Sequence, residues 1–397
     1  MKLLTFSTLF PNSVKPNHGI FVQSRLRYLI EAGDIAARVV APVPWFPFKH
    51  DAFGRYGLQA RVPHTETRAG LQVYHPRYFL PPKTGMTIAP AMLAAGARST
   101  IGRLIDEGFD FDLIDAHYFY PDGVAAVLLG KYFGKPTVIS ALGTDINLLP
   151  HFRLPGKMIR WAGSHAARII TVSSALKSEA VKLGMPASRI EVLRNGVDLA
   201  LFHPADRAPL RQAYGCDGFT LLSVGNLIPL KGHDLSIDAL RSLPDVRLLI
   251  AGEGPERGNL ERLASKCGVA ERVRFLGSIP QSELRQYYAA ADALVLPSSR
   301  EGWANVLLES MACGTPAIAT RVGGTPEVIQ APEAGIIMAE RSAKGIVDAV
   351  VALRAALPDR AATRRYAERF GWPDIIAAQT RLYRSVADKS AVPANLG

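Results

Sequence analysis

The chain has 397 residues, of which 48% are hydrophobic and 20% are charged, and its formal net charge is +11. These values are typical of a soluble globular protein, and the length predicts two or three domains. No run of eighteen apolar residues occurs, which excludes a predicted membrane span, and the start Met1–Ser7 predicts a buried strand rather than a secretory leader. The three cysteines lack metal-ligand spacing, so we expect reduced thiols in a cytoplasmic protein.

Nearly all of the net positive charge lies in the first half of the chain. Residues 1–200 contain 23 Lys and Arg against 14 Asp and Glu, a net charge of +9, and residues 201–397 contribute +2. A basic half of this kind favours binding to nucleic acid, to an anionic membrane surface or to a phosphorylated acceptor. The alternative is that these charges are solvated and bind no partner. No recognised nucleic-acid-binding module accompanies this charge, so we do not expect a nucleic-acid partner.

Strand-like apolar runs alternate with helical patterns along the whole chain. The predicted strands are 2–8, 38–41, 113–116 and 137–140, then 219–224, 247–251, 274–276, 293–296 and 316–320. This alternation predicts an α/β protein with parallel sheets and covering helices, built twice. We predict domains at 1–197 and 198–370. The C-terminal segment 371–397 should form an amphipathic helix through Tyr383 and then a frayed end.

Three loops of the first half follow predicted strands and contain candidate functional residues. The first precedes a predicted helix at 23–32 and contains Gly19, which either lets the backbone approach a ligand or simply forms a turn. The second contains His117, a residue type that is more often structural than functional. The third contains Asp145, which could equally cap a helix.

Asp110 and Asp112 have the D-x-D spacing by which some transferases hold Mn²⁺ or Mg²⁺. They directly precede the predicted strand 113–116, at its amino end. Because ligands bind at the carboxyl ends of parallel strands, we predict no metal site there.

Between Trp45 and Lys83 the sequence predicts an irregular stretch that is both aromatic and basic. It contains six Lys and Arg against two acids, with Trp45, Phe46, Phe48, Phe53, Tyr56, Tyr74, Tyr78 and Phe79 interspersed. Ordinary surface packing would account for this composition. It is also what a peripheral enzyme needs to contact anionic lipid head groups.

Two loops of the second half combine glycines with polar residues after a predicted strand. The first contains Asn226 and Lys231, and the second contains Gly252 and Gly254 in a G-x-G pattern. The third glycine of a dinucleotide fingerprint comes one residue late, and Pro255 removes an N–H group. We therefore do not predict a nicotinamide cofactor here.

Two carboxylates, Glu301 and Glu309, lie eight residues apart across a predicted loop-to-helix junction. Asn305 is the predicted N-cap of that helix, and Val306 begins its apolar face. The amino end of a helix presents free N–H groups and a positive dipole end, which together favour an anion. Carboxylates on both sides of an anion site suit a nucleotide sugar.

The segment 291–329, with 298–316 at its centre, resembles the signature of a large retaining glycosyltransferase family. That family includes glycogen-synthase-like and lipopolysaccharide-sugar transferases, and it is described as glycosyltransferase family 4-like. The resemblance extends over nearly the whole chain. It implies the GT-B fold: two Rossmann-like domains facing across a cleft, with a C-terminal helix that returns to the first domain.

The resemblance also implies roles for the candidate residues. Lys231 would neutralise the leaving diphosphate, Glu301 would orient the donor sugar, Glu309 would bind the ribose, and His117 would lie beside the transferred sugar. Donor contacts are expected from Gly19, Asp145, Asn226, Lys231, Gly252, Gly254, Asn305, Val306 and Glu309. Many relatives carry arginine where this chain has Asn226, and whether Arg194 or Arg321 compensates is left open.

The predicted function is retaining transfer of a sugar from a nucleotide sugar to a saccharide acceptor, in cell-surface or exopolysaccharide synthesis. We expect a UDP-sugar in first place and a GDP-sugar in second, a lipid-linked acceptor, and neither cofactor nor metal. The enzyme would be cytoplasmic and peripheral on the inner membrane face. A nucleotide-sugar epimerase on the same fold, or a non-catalytic nucleotide-sugar-binding protein, is the alternative.

Overall fold

The computed structural model describes residues 1–81 and 85–391 of the chain. The chain divides into two compact units: unit 1 is 1–194 together with the chain from Pro373 onward, and unit 2 is Asn195–Trp372. Lys83 and residues 392–397, the last part of the frayed end predicted after Tyr383, lie outside the described residues. Across the ranges that are described, no helix is both long enough and apolar enough to cross a membrane.

Both units consist of parallel strands that alternate with helices. The strands are β1 Lys2–Phe6, β2 Ala36–Val40, β3 Val43–Pro44, β4 Thr65–Arg68, β5 Leu71–Tyr74, β6 Arg77–Tyr78, β7 Leu113–His117, β8 Thr137–Ala141, β9 Arg168–Thr171, β10 Ile190–Val192, β11 Phe219–Val224, β12 Val246–Ala251, β13 Val273–Gly277, β14 Ala293–Leu296, β15 Ala317–Ala319 and β16 Gly335–Ile337. The helices are α1 Ile20–Glu31, α2 Gly54–Ala60, α3 Gly85–Asp106, α4 Val124–Phe133, α5 Thr144–Asn147, α6 Arg153–His165, α7 Ser174–Lys182, α8 Arg207–Tyr214, α9 His233–Ala239, α10 Arg257–Lys266, α11 Gln281–Ala290, α12 Asn305–Ala312, α13 Thr325–Val328, α14 Ala343–Ala355, α15 Arg360–Glu368 and α16 Trp372–Ala391.

The sheet of unit 2 has the strand order β13-β12-β11-β14-β15-β16, and all of its neighbouring strands are parallel. Numbered within the unit, this is 3-2-1-4-5-6, the order of a Rossmann fold. The strand order reverses between β11 and β14. Ligands of such sheets bind outside the carboxyl ends of the strands at this switch point.

The large sheet of unit 1 follows the same plan, in the order β10-β9-β8-β7-β1-β2-β5-β4. Only β4, at the edge, is antiparallel to its neighbour, and the switch point lies between β1 and β7. Helix α16 belongs to this unit, where Gln379 accepts a hydrogen bond of 2.6 Å from the buried Arg25. β3 and β6 form a separate parallel pair.

The nine predicted strands are all present, with ends shifted by at most two residues. Most of them are recognisable because they are buried on both faces and therefore largely apolar: every residue of β14 is buried, whereas the edge strand β13 has no buried residue. Helix α1 begins three residues before its predicted start, and α16 continues to Ala391. The prediction of an irregular segment at 45–83 is wrong, since the segment contains α2, β4, β5 and β6.

Candidate active site

Two charged side chains from separate loops meet at the switch point of unit 2. Lys231 ends the turn that follows β11, and Glu301 lies in the loop that follows β14. The Lys231 Nζ and Glu301 Oε1 atoms are 2.6 Å apart, and the two side chains retain 20% and 11% of their exposure. The strand order therefore brings together two residues that are seventy positions apart in sequence.

Backbone contacts hold the Glu301 loop in place. The Ser299 N–H donates to the Leu230 carbonyl at 2.8 Å, which ties this loop directly to the Lys231 turn. On its other side, Gly323 has a positive φ of 50°, and a Cβ at that position would lie 1.8 Å from the Glu301 carbonyl oxygen. Only glycine permits this approach, so the loop that follows β15 fixes the Glu301 backbone.

Gly252 and Gly254 lie in the loop that follows β12, and this loop packs against the loop that follows β11. A Cβ on Gly252 would lie 1.9 Å from the Gly225 carbonyl oxygen, and one on Gly254 would lie 2.4 Å from that of Leu227. The Leu227 N–H also donates to the Glu253 carbonyl at 2.9 Å. The structure thus gives both glycines an internal packing role, and their predicted contact with the donor stays a prediction.

Asn226 is exposed on the loop that follows β11. A histidine that the sequence analysis missed contacts its backbone carbonyl. His233 Nδ1 is 2.9 Å from Ser223 Oγ, and its Nε2 is 3.3 Å from the Asn226 carbonyl oxygen. Burial lowers the pKa of His233 to about 4, so the ring is neutral at physiological pH. Its position directly after Lys231-Gly232 was the available sequence signal.

The two arginines proposed to compensate for Asn226 fall in different units. Arg321 is exposed in unit 2, in the loop that follows β15, at the same sheet edge as Lys231. Arg194 is the last residue of the first stretch of unit 1. Of the two, only Arg321 shares a unit with Asn226, and its role stays a prediction.

Helix α12 begins at Asn305, so the prediction that Asn305 is its N-cap is wrong. Ala304 is the cap residue and makes no side-chain capping bond. The Asn305 side chain instead accepts a hydrogen bond of 3.2 Å from Asn195 Nδ2, because Asn195 lies beside the loop. Val306 is half-buried in the first turn, where the helix dipole is positive.

Glu309 is buried one turn into α12, where two residues of α11 hold its carboxylate. The Tyr288 hydroxyl donates to Oε2 at 2.8 Å, and Gln281 Nε2 donates to Oε1 at 3.2 Å. Burial raises the pKa of Glu309, and these two hydrogen bonds offset part of that rise. The sequence analysis found neither partner, since nothing local connects α11 to this helix.

In unit 1, His117 is the last residue of β7 and is nearly fully buried. Its Nε2 is 3.0 Å from Asp115 Oδ2, because alternate residues of a strand share a face. The Tyr383 hydroxyl donates to the other Asp115 oxygen at 2.7 Å. Burial raises the pKa of Asp115, but the His117 ring, Tyr383 and Arg25 outweigh it, so the pKa lies below its usual value.

Asp145 and Gly19 both have structural partners within unit 1. Asp145 is fully buried, and it accepts backbone N–H groups from Phe119 at 2.8 Å and from Gly143 at 2.7 Å. Gly19 precedes α1 with a φ of 68°, and a Cβ there would lie 2.2 Å from the Leu9 carbonyl oxygen. Their predicted contact with the donor stays a prediction.

A third carboxylate of this switch point, Asp122, was missed. Thr8, which follows β1, donates its hydroxyl to Asp122 Oδ2 at 2.9 Å, and Oδ1 has no partner among residues 1–81 and 85–391. Burial raises the pKa of Asp122 to about 8, with a small further contribution from Asp145. Asp122 is therefore largely protonated at neutral pH.

The D-x-D pair lies at the opposite, amino end of β7. Asp110 pairs with Lys135 at 2.6 Å, and Asp112 accepts the Lys2 backbone N–H at 2.7 Å. Both carboxylates thus have structural partners at the edge of the sheet where ligands do not bind.

Comparison with known proteins identifies the chain. The family model of glycosyl transferases group 1 matches residues 209–370, and that of glycosyltransferase family 4 matches residues 56–201. D-inositol 3-phosphate glycosyltransferase 2 of Catenulispora acidiphila is 33% identical over 316 residues, covering 71% of this chain and 73% of its own length. TuaC of Bacillus subtilis, named for teichuronic acid biosynthesis, is 29% identical over 362 residues, with 88% of each chain covered.

Solved structures share the fold. Sucrose-phosphate synthase of Thermosynechococcus elongatus has a TM-score of 0.80 at 19% identity and covers 98% of this chain and 99% of its own. HepE of Anabaena, solved in complex with UDP, has a TM-score of 0.73 at 21% identity, with 97% and 100% covered. The protein is thus of the GT-B fold class, as the sequence predicts. More particularly, it belongs to the group 1, family 4 glycosyltransferases, and it is an enzyme of the hexosyltransferase type.

Proposed function

We propose that the enzyme transfers a hexose, with retention of anomeric configuration, from a UDP-sugar to a lipid-linked saccharide in the synthesis of a cell-surface polysaccharide. The observation that carries this proposal is the contact between Lys231 and Glu301 at the switch point of unit 2. The names of two similar proteins support the proposed substrates. TuaC is named for teichuronic acid biosynthesis, and HepE has been solved in complex with UDP-glucose.

The charges of this site suit a diphosphate leaving group. In the proposed reaction the bond between the anomeric carbon and the leaving phosphate oxygen breaks, and negative charge develops on the diphosphate. The donor diphosphate replaces Glu301 as the partner of Lys231, and the amino end of α12 contributes its positive dipole. Such preorganised electrostatic stabilisation is usually the largest single contribution to catalysis. Glu301, once released from Lys231, accepts hydrogen bonds from the donor sugar.

The remaining steps follow from the same arrangement. Tyr288 and Gln281 hold the Glu309 carboxylate, which accepts the ribose hydroxyls on its remaining lone pairs. The acceptor oxygen attacks on the face that the diphosphate leaves, and its proton passes to the leaving phosphate, so that retention needs no enzymatic nucleophile. We propose that no metal takes part, since Asp110 and Asp112 lie at the amino end of β7.

Two surfaces of unit 1 support a peripheral location on the inner face of the membrane. Phe46, Phe48, Phe53 and Tyr56 form an aromatic cluster with ring centroids 5.1 to 6.0 Å apart, and Phe48 is 54% exposed. Lys49 and Arg55 are exposed within the same segment and have no carboxylate partner in the described part of the chain. Exposed rings beside unpaired cations are what an anionic lipid surface attracts.

The second surface, which the sequence analysis missed, is the outer face of α6. Arg153, Lys157 and Arg160 follow one another at helical spacing, all are exposed, and the helix contains no acid. Phe152 and Leu154 are exposed at its amino end. Basic residues beside exposed apolar ones are again typical of an interfacial helix.

Product analysis tests the proposed reaction. The protein is incubated with UDP- and GDP-sugars and with lipid-linked saccharides, and the products are examined by NMR spectroscopy. We expect a new α-glycoside from an α-linked donor, and turnover that survives EDTA. An isomerised nucleotide sugar would establish the epimerase instead, and inverted linkage or Mg²⁺-dependent turnover would contradict the corresponding part of the proposal.

A further inference from the structure

A pocket of about 400 Å³ opens in unit 1 at the carboxyl end of the large sheet. Tyr120 of its wall lies three residues after His117, the last residue of β7, and Leu149 lies beyond β8 and α5. Tyr56 of α2 and Tyr78 of β6, which both precede α3 in the chain, also line the pocket. The pocket thus lies at the edge of the sheet where α/β proteins bind their ligands.

The walls of this pocket are aromatic and aliphatic. Leu80, Met86 and Leu149 contribute aliphatic chains, and three tyrosine rings supply most of the remainder. The Tyr120 hydroxyl is already used, because it donates to the Met86 carbonyl oxygen. A bare sugar needs many hydrogen-bonding partners, whereas an apolar chain needs a wall of this kind.

One cation, Arg55, lines the pocket. Its guanidinium lies 5.1 Å from the centroid of the Tyr56 ring and donates to the Tyr56 hydroxyl at 3.3 Å. Arg55 is exposed and has no carboxylate partner within the described ranges, so its charge is available to a ligand. Guanidinium groups bind phosphate with strong, charge-assisted hydrogen bonds.

We propose that this pocket binds a long-chain alkyl or isoprenoid phosphate ester, with the chain against the tyrosine and leucine walls and the phosphate on Arg55. This inference rests on the proposed function and deepens it, since it names the chemical class of the acceptor's anchor. Tyr56 belongs both to the pocket and to the exposed aromatic cluster. Tyr56 therefore connects the pocket to the aromatic rings proposed to contact the membrane interface.

Calorimetric titration of the full chain with decyl phosphate, below its micelle concentration, tests the inference. Leu80→Trp and Leu149→Trp fill the pocket from partly exposed positions, and Leu357→Trp, at a 48% exposed position in unit 2, is the matched control. Decyl phosphate should bind at one saturable site. Each pocket variant should weaken it about tenfold or more, since excluding two methylene groups already has that effect. The control should not change it.

The cation is tested separately with decanol and inorganic phosphate as probes. Arg55→Ala should weaken decyl phosphate about fivefold, the usual scale of an exposed ion pair, and leave decanol unchanged. Arg98→Ala is the matched control, because Arg98 is also exposed and stacked on a tyrosine, 4.2 Å from the Tyr132 centroid. Inorganic phosphate alone should bind too weakly to measure, because it lacks the chain.

Three results would overturn the inference: no saturable binding of decyl phosphate, unchanged affinity in both pocket variants, or equal affinities for decanol and decyl phosphate that Arg55→Ala does not alter. Vesicles containing phosphatidylglycerol distinguish the source of the lipid. The affinity of both tryptophan variants for these vesicles is compared with their affinity for decyl phosphate. If the two affinities fall by the same factor, the occupant is bulk membrane lipid and not the acceptor. Absence of sugar transfer would contradict the proposed function separately, since decyl phosphate binding needs no turnover.

Discussion

The two switch points share one strand plan but differ in their electrostatic character. In unit 1 the plan positions three buried carboxylates, Asp115, Asp122 and Asp145, which are held by hydroxyl groups, a histidine and backbone N–H groups. In unit 2 it positions Lys231 and Glu301, which are paired and partly exposed. The Lys231 ammonium of the second arrangement attracts a diphosphate, whereas the Asp115 carboxylate of the first, whose pKa is lowered, repels it.

This difference indicates that the different roles of the two units originate in their loops and not in their strand order. The strand order places a loop after each of the two strands at the switch point, β1 and β7 in unit 1 and β11 and β14 in unit 2, but it does not decide which residues those loops carry. In unit 1 the carboxyl ends of the strands bury acids whose partners, such as Thr8 and Tyr383, lie in the same unit. In unit 2 the loops present Lys231, whose ion-pair partner in the described part of the chain is a carboxylate that the ligand can replace. The comparison therefore predicts that nucleotide binding depends on unit 2.

The largest expected effect concerns Asp122. Burial holds its proton in the folded state up to about pH 8. The unfolded chain releases that proton near pH 4, so the folded state binds more protons between these values and stability falls as pH rises through them. The loss should be on the order of 5 kcal/mol, at about 1.4 kcal/mol per pKa unit. Chemical denaturation gives the free energy of unfolding from pH 4 to 9. Over this range the stability of Asp122→Asn should rise relative to that of the wild type by this amount. The same pH dependence in both proteins would contradict a neutral acid here.

The next effect concerns the charged pair of unit 2. Lys231→Ala and Glu301→Gln should each lower turnover by about 10²–10³, the usual result of removing one preorganised group. Lys231→Ala should also weaken UDP binding, because the diphosphate loses its cation. Lys344→Ala, an exposed lysine that pairs with Asp348, is the control. Turnover near the wild-type value in either variant would mean that the site lies elsewhere.

A substitution of His117 tests the same comparison in unit 1. His117→Gln keeps a donor for Asp115 and should lower sugar transfer by about 10², a typical contribution of a positioned polar group. UDP affinity should stay unchanged, since the nucleotide depends on unit 2. His165→Gln, at an exposed position on α6, is the control. A matching loss of UDP affinity in titration calorimetry would remove the proposed division between the units.

Tyr288→Phe tests how Glu309 is held. Its hydroxyl lowers the pKa of Glu309, so its removal should raise that pKa further and weaken UDP about tenfold, the value of one hydrogen bond to a charged group. Because only the ionised carboxylate accepts two ribose hydroxyls, UDP affinity should fall as pH decreases, and it should begin to fall at higher pH in the variant. Tyr287→Phe, the neighbouring residue of α11, is the control. A pH profile that does not shift would contradict this role.

The sheets could be predicted because their signal is local. Strand β14 is buried on both faces and reads as an uninterrupted apolar run, and β11 reads as a mostly apolar one. The resemblance then placed Lys231 and Glu301 after the correct strands. The segment 45–83 was mispredicted because its aromatic residues belong both to an exposed cluster and to a helix. Its hydrophobic residues therefore follow no single periodicity.

What could not be predicted depends on long-range contacts. Tyr288 and Gln281 meet Glu309 only through the packing of α11 against α12, and Asn305 turns to Asn195 instead of capping its own helix. Asp122 has an ordinary sequence context, and its raised pKa follows from burial, which outweighs the lowering effect of hydrogen bonds from Thr8, 114 residues away. Arg61, one of the six basic residues of the segment 45–83, pairs with Asp51, which the composition alone does not reveal.

The smallest expected effect concerns membrane binding, which the comparison assigns to unit 1. Lys49→Gln and Arg55→Gln should each weaken binding to phosphatidylglycerol vesicles about fivefold, since one basic residue at an anionic surface contributes roughly 1 kcal/mol. Arg61 is left intact, because its ion pair with Asp51 would confuse the result. Lys266→Gln, at an exposed position of unit 2 with no carboxylate partner among the described residues, is the matched control and should leave sedimentation unchanged. Binding should also weaken as salt rises, because exposed charges are screened within about 10 Å at 0.1 M ionic strength. Equal sedimentation with neutral and anionic vesicles, or an equal loss in the control, would remove the membrane role of this surface.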